Sequence, residues 1–324
     1  MSTAMKAVFP DFATVSRDDI DLGSLHATGI ELVLHGVTTA AELPARLAEA
    51  EILITNKIRI GPAELAAAPK LRLICLSATG VNNVDGDAAR ARGVGVCNIT
   101  AYCTASVVQH VYALILALTH HLSGYQQLLQ RGAWKSSPQF CLLDHPIREL
   151  AGRKLGIVGY GELGRGVAGV APAFGMEVLV SARPGSPAAE LPQGRLPFAT
   201  VLEQSDVLSL HCPLTDETRG LIDAAALARM KPGALLVNTA RGALVDSAAL
   251  AEALRKGRIG GAGIDVLPQE PPVDGDPLLD DSIPNLILTP HIAWAARESR
   301  QRAVDEIAAN IRSFLEGGRR GRVI

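Results

Sequence analysis

Short apolar runs recur along most of this chain, and segments with helical spacing of apolar residues separate them. Runs of this kind, bounded by turn residues, predict strands. In the amino-terminal part they read KAVFP, ELVLHG, EILITN, LRLICLSA and GVGVCNI. Further along they read KLGIVGY, EVLVSA, DVLSLHCP, ALLVNTA, GAGIDVL and NLILTPH. Helical segments such as AAELPARLAEA and DSAALAEALRKG lie between them.

Several of these runs are continuous stretches of Val, Ile and Leu without polar alternation. Strands that are buried on both faces, as in parallel sheets, have this composition. Alternation of such strands with helices is typical of α/β proteins. The pattern therefore predicts two doubly wound parallel-sheet units.

The first unit ends near Asn98, and a long helix follows that starts near Thr104 or Ser106. Ser106 and Gln109 have the spacing of a capping box. A polar, turn-rich segment then leads to the second unit, which opens at Lys154. Near the carboxyl end, AARESRQRAVDEIAANIRSFLEGG predicts an amphipathic helix, and we expect the tail GGRRGRVI to fray with solvated arginines.

A glycine-rich turn follows the first strand of the second unit. Gly159, Gly161 and Gly164 have GxGxxG spacing between a buried strand and a helix. In a dinucleotide site, the three glycines permit a tight turn, a close approach of the backbone to the pyrophosphate, and tight helix–strand packing. The helix N-terminus then offers N–H groups to the phosphates. The alternative is a glycine-rich turn that binds no ligand.

Polar residues follow several strands of the second unit, where ligands of open parallel sheets bind. Arg241, Asp265, His291 and His211 each follow an apolar run, and Glu270 lies shortly after Asp265. Together they would place a cation, carboxylates and imidazoles beside the dinucleotide.

These residue types suit hydride transfer to a 2-keto acid. The carbonyl becomes an alkoxide and needs a proton, which histidine can donate near neutral pH. A carboxylate beside an imidazole raises the pKa of the imidazole and fixes its tautomer. Arginine binds a substrate carboxylate with two parallel hydrogen bonds. Arg241, Glu270 and His291 fit these roles.

Each of these residues also has an alternative interpretation. Arg241 could be a surface residue and Glu270 a solvated one, while Asp265 could accept a hydrogen bond from the nicotinamide carboxamide. His211, before Cys212 and Pro213, fits a cofactor-contacting or packing residue better than an acid. The remaining histidines have no motif context and are interpreted as surface or satisfied core residues; they are His26, His35, His110, His120, His121 and His145.

The strand EVLVSARPG lacks the acid that commonly holds the adenosine ribose of NAD. Ala182 occupies that position, with Ser181 before it and Arg183 after it. An acid there would repel the 2′-phosphate of NADP, and Arg183 could bind it, with Ser181 adding a weaker bond. The sequence therefore predicts that NADP(H) is preferred and NAD(H) is possible; the alternative is a solvated Arg183 and equal use of both.

Composition narrows the class of protein. The 324 residues are 48% hydrophobic and 20% charged, with a net charge of −2, which argues against a dedicated nucleic-acid or membrane-surface binder. No signal pattern begins the chain, and its most apolar run, VVQHVYALILAL, is too short to span a bilayer. The five cysteines form no CxxC pair, so we expect a reducing, cytoplasmic location and no metal site.

At these residues the chain resembles the D-isomer-specific 2-hydroxyacid dehydrogenases. GYGELG, HCPLTDETRGLI, MKPGALLVNTARGALVD, GAGIDVLPQEPP and NLILTPHIAWA match in order. ITNKIRI, SPQFCLLDHPIRELAG and TPHIAWA resemble the bacterial glycerate dehydrogenase (hydroxypyruvate reductase) branch. Two positions depart from the family pattern: Gln109 stands where Glu is frequent, and Ala182 stands where NAD-dependent members have an acid.

The resemblance implies a Rossmann coenzyme domain over 102–291 and a smaller, discontinuous flavodoxin-like substrate domain over 1–101 and 292–324. Closure of the two domains would exclude water from the active site. It also implies a homodimer through the coenzyme domains, with an arm around Trp134 to Leu143 reaching the partner.

The family's catalytic Arg, Glu and His fall on Arg241, Glu270 and His291. Backbone N–H groups around Thr79, Gly80 and Val81 would hold the substrate carboxylate together with Arg241. The expected cofactor contacts are Thr104, Gly159, Gly161, Glu162, Leu163, Gly164, Ser181, Ala182, Arg183, His211, Cys212, Pro213, Thr218, Thr239, Ala240, Asp265, His291 and Ala293.

The expected activity is reduction of hydroxypyruvate and glyoxylate to D-glycerate and glycolate. A phosphoglycerate or other D-2-hydroxyacid dehydrogenase is the alternative within the family. It ranks lower because SATGVNNVD has no basic residue for a phosphate and because we expect no regulatory domain after Ile324. A dinucleotide-sensing corepressor-like module is the alternative of another class, since one fold hosts many functions.

Overall fold

The computed structural model describes residues 4–186 and 191–324. The chain forms two compact units. One comprises Met1–Cys103 together with Trp294–Ile324, and the other comprises Thr104–Ala293.

The first unit contains a parallel sheet with the strand order β2-β1-β3-β4-β5. Its strands are β1 (Lys6–Phe9), β2 (Glu31–Leu34), β3 (Ile52–Thr55), β4 (Leu73–Leu76) and β5 (Gly95–Cys97). Its helices are α1 (Gly23–His26), α2 (Leu43–Leu47), α3 (Pro62–Ala67), α4 (Gly86–Ala91) and α11 (Arg297–Leu315). A short 3-10 helix spans Phe12–Thr14.

The second unit contains a longer parallel sheet with the order β11-β10-β9-β8-β6-β7. Its strands are β6 (Lys154–Val158), β7 (Glu177–Val180), β8 (Val207–Leu210), β9 (Leu235–Asn238), β10 (Gly261–Ile264) and β11 (Leu286–Leu288). Its helices are α5 (Thr104–Thr119), α6 (Leu122–Gln130), α7 (Glu162–Val170), α8 (Phe198–Gln204), α9 (Ala224–Arg229) and α10 (Ser247–Arg255). Short 3-10 helices span Ala171–Phe174, Gly242–Leu244 and Pro277–Leu279.

The continuous apolar runs become the buried central strands. Every residue of β3, β4, β8, β9 and β10 is buried. Each of these strands has a parallel neighbour on both sides, so the hydrophobic residues on its two faces meet helices above and below the sheet. The prediction of two parallel-sheet α/β units is confirmed.

Helix α11 belongs to the core of the first unit. Its buried face carries Ala303, Val304, Ile307, Ala308 and Ile311, at spacings that form one stripe of a helix. These side chains share a cluster with the interior-facing residues of β1, β3 and β4. The predicted amphipathic helix is therefore confirmed.

The prediction that the carboxyl-terminal tail frays is wrong. Val323 N–H donates to Val96 O at 2.8 Å, and Val96 N–H donates to Ile324 O at 3.1 Å. Asn98 N–H donates to Gly321 O at 3.0 Å. The tail thus pairs antiparallel with β5, an edge strand whose backbone groups would otherwise be unpaired.

The predicted capping box is also wrong, because α5 begins at Thr104 and places Ser106 inside its first turn. The Ser106 hydroxyl donates instead to the carbonyl of Ala293 at 2.6 Å. Among the helices that the structure describes, none alone has the length and hydropathy of a membrane span; only α5 and α6 together reach them, across a 56° bend.

Candidate active site

The glycine-rich turn joins β6 to α7 in the second unit. Gly159 has φ +92°, a left-handed conformation that favours glycine. A Cβ on Gly164 would collide with the carbonyl oxygen of Gly159, so this glycine allows α7 to pack against the turn. A Cβ on Gly161, the N-cap of α7, would meet nothing within 4 Å. The backbone is therefore exposed where a phosphate would approach, with the α7 N-terminus behind it.

Glu162 and Leu163 form the first turn of α7. The Thr104 hydroxyl, at the start of α5, donates a hydrogen bond to the Glu162 carboxylate. This bond occupies the acidic side chain of the first turn. Thr104 and Glu162, two of the predicted cofactor contacts, thus lie at the helix ends that border the glycine turn.

Asp265 is the centre of a hydrogen-bond network at the carboxyl ends of β10 and β11. Its side chain is fully buried. Oδ1 accepts from the Thr289 hydroxyl at 2.5 Å and from Ile292 N–H at 2.9 Å, and Oδ2 accepts from Ala293 N–H at 2.9 Å. These bonds satisfy a carboxylate that burial alone would destabilise. They also fix the backbone on both sides of His291.

His110 on α5 also belongs to this network, and no motif in the sequence marked it as a site residue. Its Nε2 lies 3.1 Å from the Thr289 hydroxyl and 3.5 Å from Asp265 Oδ1. The signal was present in the sequence, because His110 interrupts the otherwise apolar run Val107 to Leu118. A polar side chain on the inner face of a buried helix needs a partner, and α5 packs against β10 and β11.

The structure brings Glu270 and His291 together, as the sequence predicted. His291 Nδ1 lies 2.6 Å from Glu270 Oε2, and Glu270 Oε1 accepts from Leu267 N–H at 3.0 Å. The side chains of His291 and Glu270 are 25% and 35% exposed, respectively, so the outer edge of the imidazole is accessible. His291 has φ +56°, an uncommon conformation for a residue with a side chain. Its N–H donates to Asp265 O at 2.8 Å, which holds the backbone in place.

An apolar cavity of about 400 Å³ borders the Glu270–His291 pair. Pro271, Pro272 and Leu288 contribute to its wall. The apolar wall lies beside the carboxylate and the imidazole, which both remain partly exposed.

Arg241 follows β9, the neighbour of β10 in the sheet. Its backbone is fixed by Asn238, whose side-chain amide donates to Arg241 O at 2.9 Å and accepts from Ala240 N–H at 3.0 Å. The guanidinium is exposed, and its Nη1 donates to Ala240 O at 2.7 Å. A fixed backbone with an exposed guanidinium suits binding of an anion.

Two buried polar atoms at strand ends have no hydrogen-bond partner among the described residues: Thr239 Oγ1, after β9, and His211 Nδ1, after β8. Burial lowers the pKa of His211 to about 4, so the imidazole is neutral at physiological pH; its Nε2 lies 2.9 Å from the Ser209 hydroxyl. Buried unsatisfied polar groups are uncommon. Both atoms lie at strand ends where the sequence predicts a dinucleotide site, and they fit contacts to such a ligand.

Around the β8 end, Cys212 is buried, and burial raises the pKa of its thiol. The Thr218 hydroxyl donates to Pro213 O at 2.8 Å and accepts from Thr215 N–H at 2.7 Å. These bonds close the turn that follows β8. Thr218 therefore shapes the predicted cofactor edge through its backbone partners.

At the end of β7, the residues in the predicted ribose position differ in exposure. Ser181 is 2% exposed and its hydroxyl donates to Ala182 O at 2.7 Å, so the hydroxyl is directed at the protein's own backbone. Ala182 is also buried. The Arg183 side chain is 72% exposed and lies 3.8 Å from Glu217 Oε2. Position 182 itself carries no carboxylate, but Glu217 brings one within 3.8 Å of the Arg183 guanidinium.

The predicted substrate loop lies in the first unit, after β4. Thr79 O accepts a hydrogen bond from the Asn98 side chain at 2.7 Å, and Val81 O accepts from Val84 N–H at 3.1 Å. Thr79 and Val81 are exposed and Gly80 is half-buried. Carbonyl groups of this loop thus have partners within their own unit.

Comparison with known proteins identifies the family. The model of the D-isomer specific 2-hydroxyacid dehydrogenase NAD binding domain matches residues 112–293. Glycerate dehydrogenase of Methylorubrum extorquens is 46% identical over 86% of this chain and 87% of its own length. Hydroxypyruvate reductase of Blautia hydrogenotrophica is 38% identical over 97% of this chain and 98% of its own.

Among solved structures, a protein from Thermus thermophilus superposes with a TM-score of 0.85. It is 37% identical, and the match covers 99% of this chain and all of that one (100%). These similarities confirm the resemblance drawn from the motifs. The chain belongs to the D-isomer specific 2-hydroxyacid dehydrogenase family.

Proposed function

We propose that this protein is an oxidoreductase that reduces short 2-keto acids, above all hydroxypyruvate and glyoxylate, to D-2-hydroxy acids with NADPH. The observation that carries the proposal is the 2.6 Å contact between His291 Nδ1 and Glu270 Oε2 at the ligand-binding edge of a sheet with a dinucleotide turn. Names of relatives supply the substrate class: glycerate dehydrogenase and hydroxypyruvate reductase.

The glycine turn, the α7 N-terminus and Thr239 fit a nicotinamide dinucleotide. Gly161 leaves the backbone accessible, and Thr239 Oγ1 is buried without a partner in the described part of the chain. When bound, the reduced nicotinamide supplies a hydride to the substrate carbonyl carbon. Among the expected cofactor contacts, Leu163, Cys212, Ala240 and Ala293 contribute walls and backbone rather than charge.

His291 is the proton donor in this reaction. Glu270 accepts the Nδ1 hydrogen, which leaves Nε2 of the protonated imidazole to donate to the carbonyl oxygen as it becomes an alkoxide. A carboxylate at 2.6 Å stabilises the positive charge of this imidazole before transfer. Asp265 acts further back, because its bonds to Thr289, Ile292 and Ala293 set the position of the His291 ring.

Arg241 binds the substrate carboxylate. Its exposed guanidinium can form two parallel hydrogen bonds with a carboxylate, which orients the carbonyl relative to the cofactor. We assign the N–H groups around Thr79, Gly80 and Val81 as additional donors to the same carboxylate. Both assignments rest on residue type and on the family motif.

NADPH is the preferred cofactor in this proposal because Ala182 removes the acid that would oppose a 2′-phosphate. Two like charges ~4 Å apart near a protein surface repel by up to about 4 kcal/mol. An alanine at this position tolerates either cofactor, so NADH is used less well rather than excluded.

We further propose a cytoplasmic homodimer. Trp134, Phe140 and Leu143 are 53%, 90% and 79% exposed on the segment after α6, and exposed apolar groups of this size favour an interface. All five cysteines lie among the described residues and none forms a disulfide, as in proteins of a reducing compartment.

Initial-rate kinetics test the function. Hydroxypyruvate, glyoxylate, pyruvate and 3-phosphohydroxypyruvate are each assayed with NADH and with NADPH. We expect the highest kcat/KM for hydroxypyruvate or glyoxylate with NADPH. Preference for 3-phosphohydroxypyruvate would assign the protein to phosphoglycerate oxidation instead, and cofactor binding without turnover of any keto acid would support a sensing module.

A further inference from the structure

A second arginine, Arg195, lies at the ribose end of the same sheet. Leu196 N–H donates to Val180 O at 2.9 Å, and Ala182 N–H donates to Leu196 O at 2.8 Å. These bonds form a parallel bridge between Leu196 and Ser181. The chain therefore returns to the outer edge of β7 and places Arg195 beside the strand end where a dinucleotide ribose binds.

The Arg195 side chain is held between β7 and the glycine turn. Its Nη1 donates to Ser181 O at 3.0 Å, and its guanidinium lies over the Tyr160 ring at 4.8 Å from the ring centroid. Tyr160 is the residue between Gly159 and Gly161. A cation stacked on an aromatic face is both attracted and oriented, so this guanidinium is positioned before any ligand arrives.

Arg183 is placed differently. Its side chain is 72% exposed, and it forms an ion pair with the Glu217 carboxylate at 3.8 Å. Exposed ion pairs of this kind hold a side chain only weakly. The same carboxylate would repel a phosphate that approached Arg183. The neighbour of Ala182 in the sequence is therefore the poorer phosphate ligand of the two.

We propose that Arg195 is the residue that recognises the 2′-phosphate of NADP, and that Arg183 contributes little. This inference rests on the proposed function, because it takes the ligand to be a nicotinamide dinucleotide that carries a 2′-phosphate. One N–H of Arg195 is used by Ser181, and the guanidinium has further donors in its plane. A guanidinium that is already ordered loses less conformational entropy when it binds a phosphate.

Binding of the adenosine half of the cofactor tests this assignment without catalysis. Adenosine 2′,5′-bisphosphate and 5′-AMP are titrated by calorimetry into the full-length protein and into Arg195→Gln, Arg195→Lys and Arg183→Gln. Hydrogen bonds between a guanidinium and a phosphate are charge-assisted and about twice as strong as those between neutral groups. We expect Arg195→Gln to lose about tenfold or more in affinity for the bisphosphate, with affinity for 5′-AMP unchanged.

Arg183→Gln is the matched control and should stay within about twofold of the parent for both nucleotides. Arg195→Lys keeps a cation of similar length, so a partial loss in that variant shows that the protein is folded and that the planar guanidinium matters. In Arg195→Gln, unchanged affinity for 5′-AMP likewise shows that the protein is folded.

The reverse pattern, a loss of about tenfold in Arg183→Gln and none in Arg195→Gln, would assign recognition to Arg183. Equal affinity of the parent protein for adenosine 2′,5′-bisphosphate and 5′-AMP would show that neither arginine recognises the 2′-phosphate. Either result overturns the inference while hydroxypyruvate reduction continues. If the parent protein bound neither nucleotide and reduced no keto acid, that result would instead contradict the proposed function.

Discussion

The carboxyl ends of β10 and β11 and the carboxyl end of β7 belong to one sheet but are built differently. At β10 and β11, the buried Asp265 carboxylate accepts bonds from Thr289, Ile292 and Ala293, all at 2.9 Å or less. At the β7 end, Arg183 and Glu217 are more than half exposed and 3.8 Å apart. The end at β10 and β11 is fixed by the protein's own hydrogen bonds. At the β7 end Arg195 is held in this way, but Arg183 and Glu217 form an exposed pair of charges.

The difference follows from what each end would do. A proton moves from an acid only over hydrogen-bond distance, so a small displacement of His291 would slow the reaction. Selection between two cofactors by charge acts over longer distances and tolerates motion. We therefore expect changes near His291 to have large effects on rate and changes near Arg183 to have small effects on affinity.

Replacing His291 with Ala should have the largest effect on activity. Loss of a general acid lowers kcat by about 10²- to 10⁴-fold, while cofactor affinity should change little. Steady-state kinetics with hydroxypyruvate and a titration with the cofactor measure both. His120→Ala removes an exposed histidine just after the end of α5 and serves as the control. A fall of less than tenfold in His291→Ala would contradict its role as proton donor.

The end of β8 provides an intermediate case, in which a buried imidazole affects stability. Burial lowers the pKa of His211 to about 4 in the folded protein, against about 6.5 when unfolded. Between these values the unfolded chain binds a proton that the folded one does not, so stability is full above about pH 6.5 and falls as the pH drops towards 4. Lowering the pH from 7 to 5 should therefore reduce the free energy of unfolding by about 2 kcal/mol through His211.

Urea unfolding at both pH values, in the parent protein and in His211→Asn, isolates that contribution. The variant should lose about 2 kcal/mol less than the parent between pH 7 and pH 5. Equal losses in the two proteins would mean that His211 is protonated in the folded state as readily as in the unfolded one.

The smallest effect is expected at the β7 end, from Glu217→Gln. Removing this exposed carboxylate frees Arg183 and takes away a negative charge, but exposed pairs contribute only about 0.2–1 kcal/mol. Affinity for NADPH should therefore rise by about twofold, and affinity for NADH should not change. Calorimetric titrations at low and high salt measure both, and a gain that survives high salt would contradict an electrostatic origin.

The sequence predicted the strands well because burial on both faces leaves a direct trace in composition. β4 is apolar throughout, β3 and β9 are apolar up to a polar last residue, and the structure buries every residue in all three. The glycine turn and the pairing of Glu270 with His291 were also predicted, since strand order brings the ends of neighbouring parallel strands to one edge.

The parts that the sequence did not predict depend on contacts between distant segments. The tail around Arg322 reads as solvated, and only the position of β5 at the sheet edge gives its backbone a partner. His110 joins Asp265 across 155 residues of sequence (265 − 110), through the packing of α5 on β10. Arg195 lies at the β7 end although it is distant from Ala182 in the sequence. The sequence therefore pointed to Arg183, the neighbour of Ala182, as the ligand of the 2′-phosphate.

The configuration of the product is the sharpest test of the roles assigned to His291, Glu270 and Arg241. The full-length protein is incubated with hydroxypyruvate and NADPH, oxidation of the cofactor is followed by absorbance, and the glycerate formed is resolved by chiral chromatography. If His291, Glu270 and Arg241 act as proposed, cofactor oxidation matches the glycerate formed, and the glycerate is the D-isomer alone. Formation of L-glycerate or of both isomers, or no oxidation of either NADPH or NADH, would contradict the account.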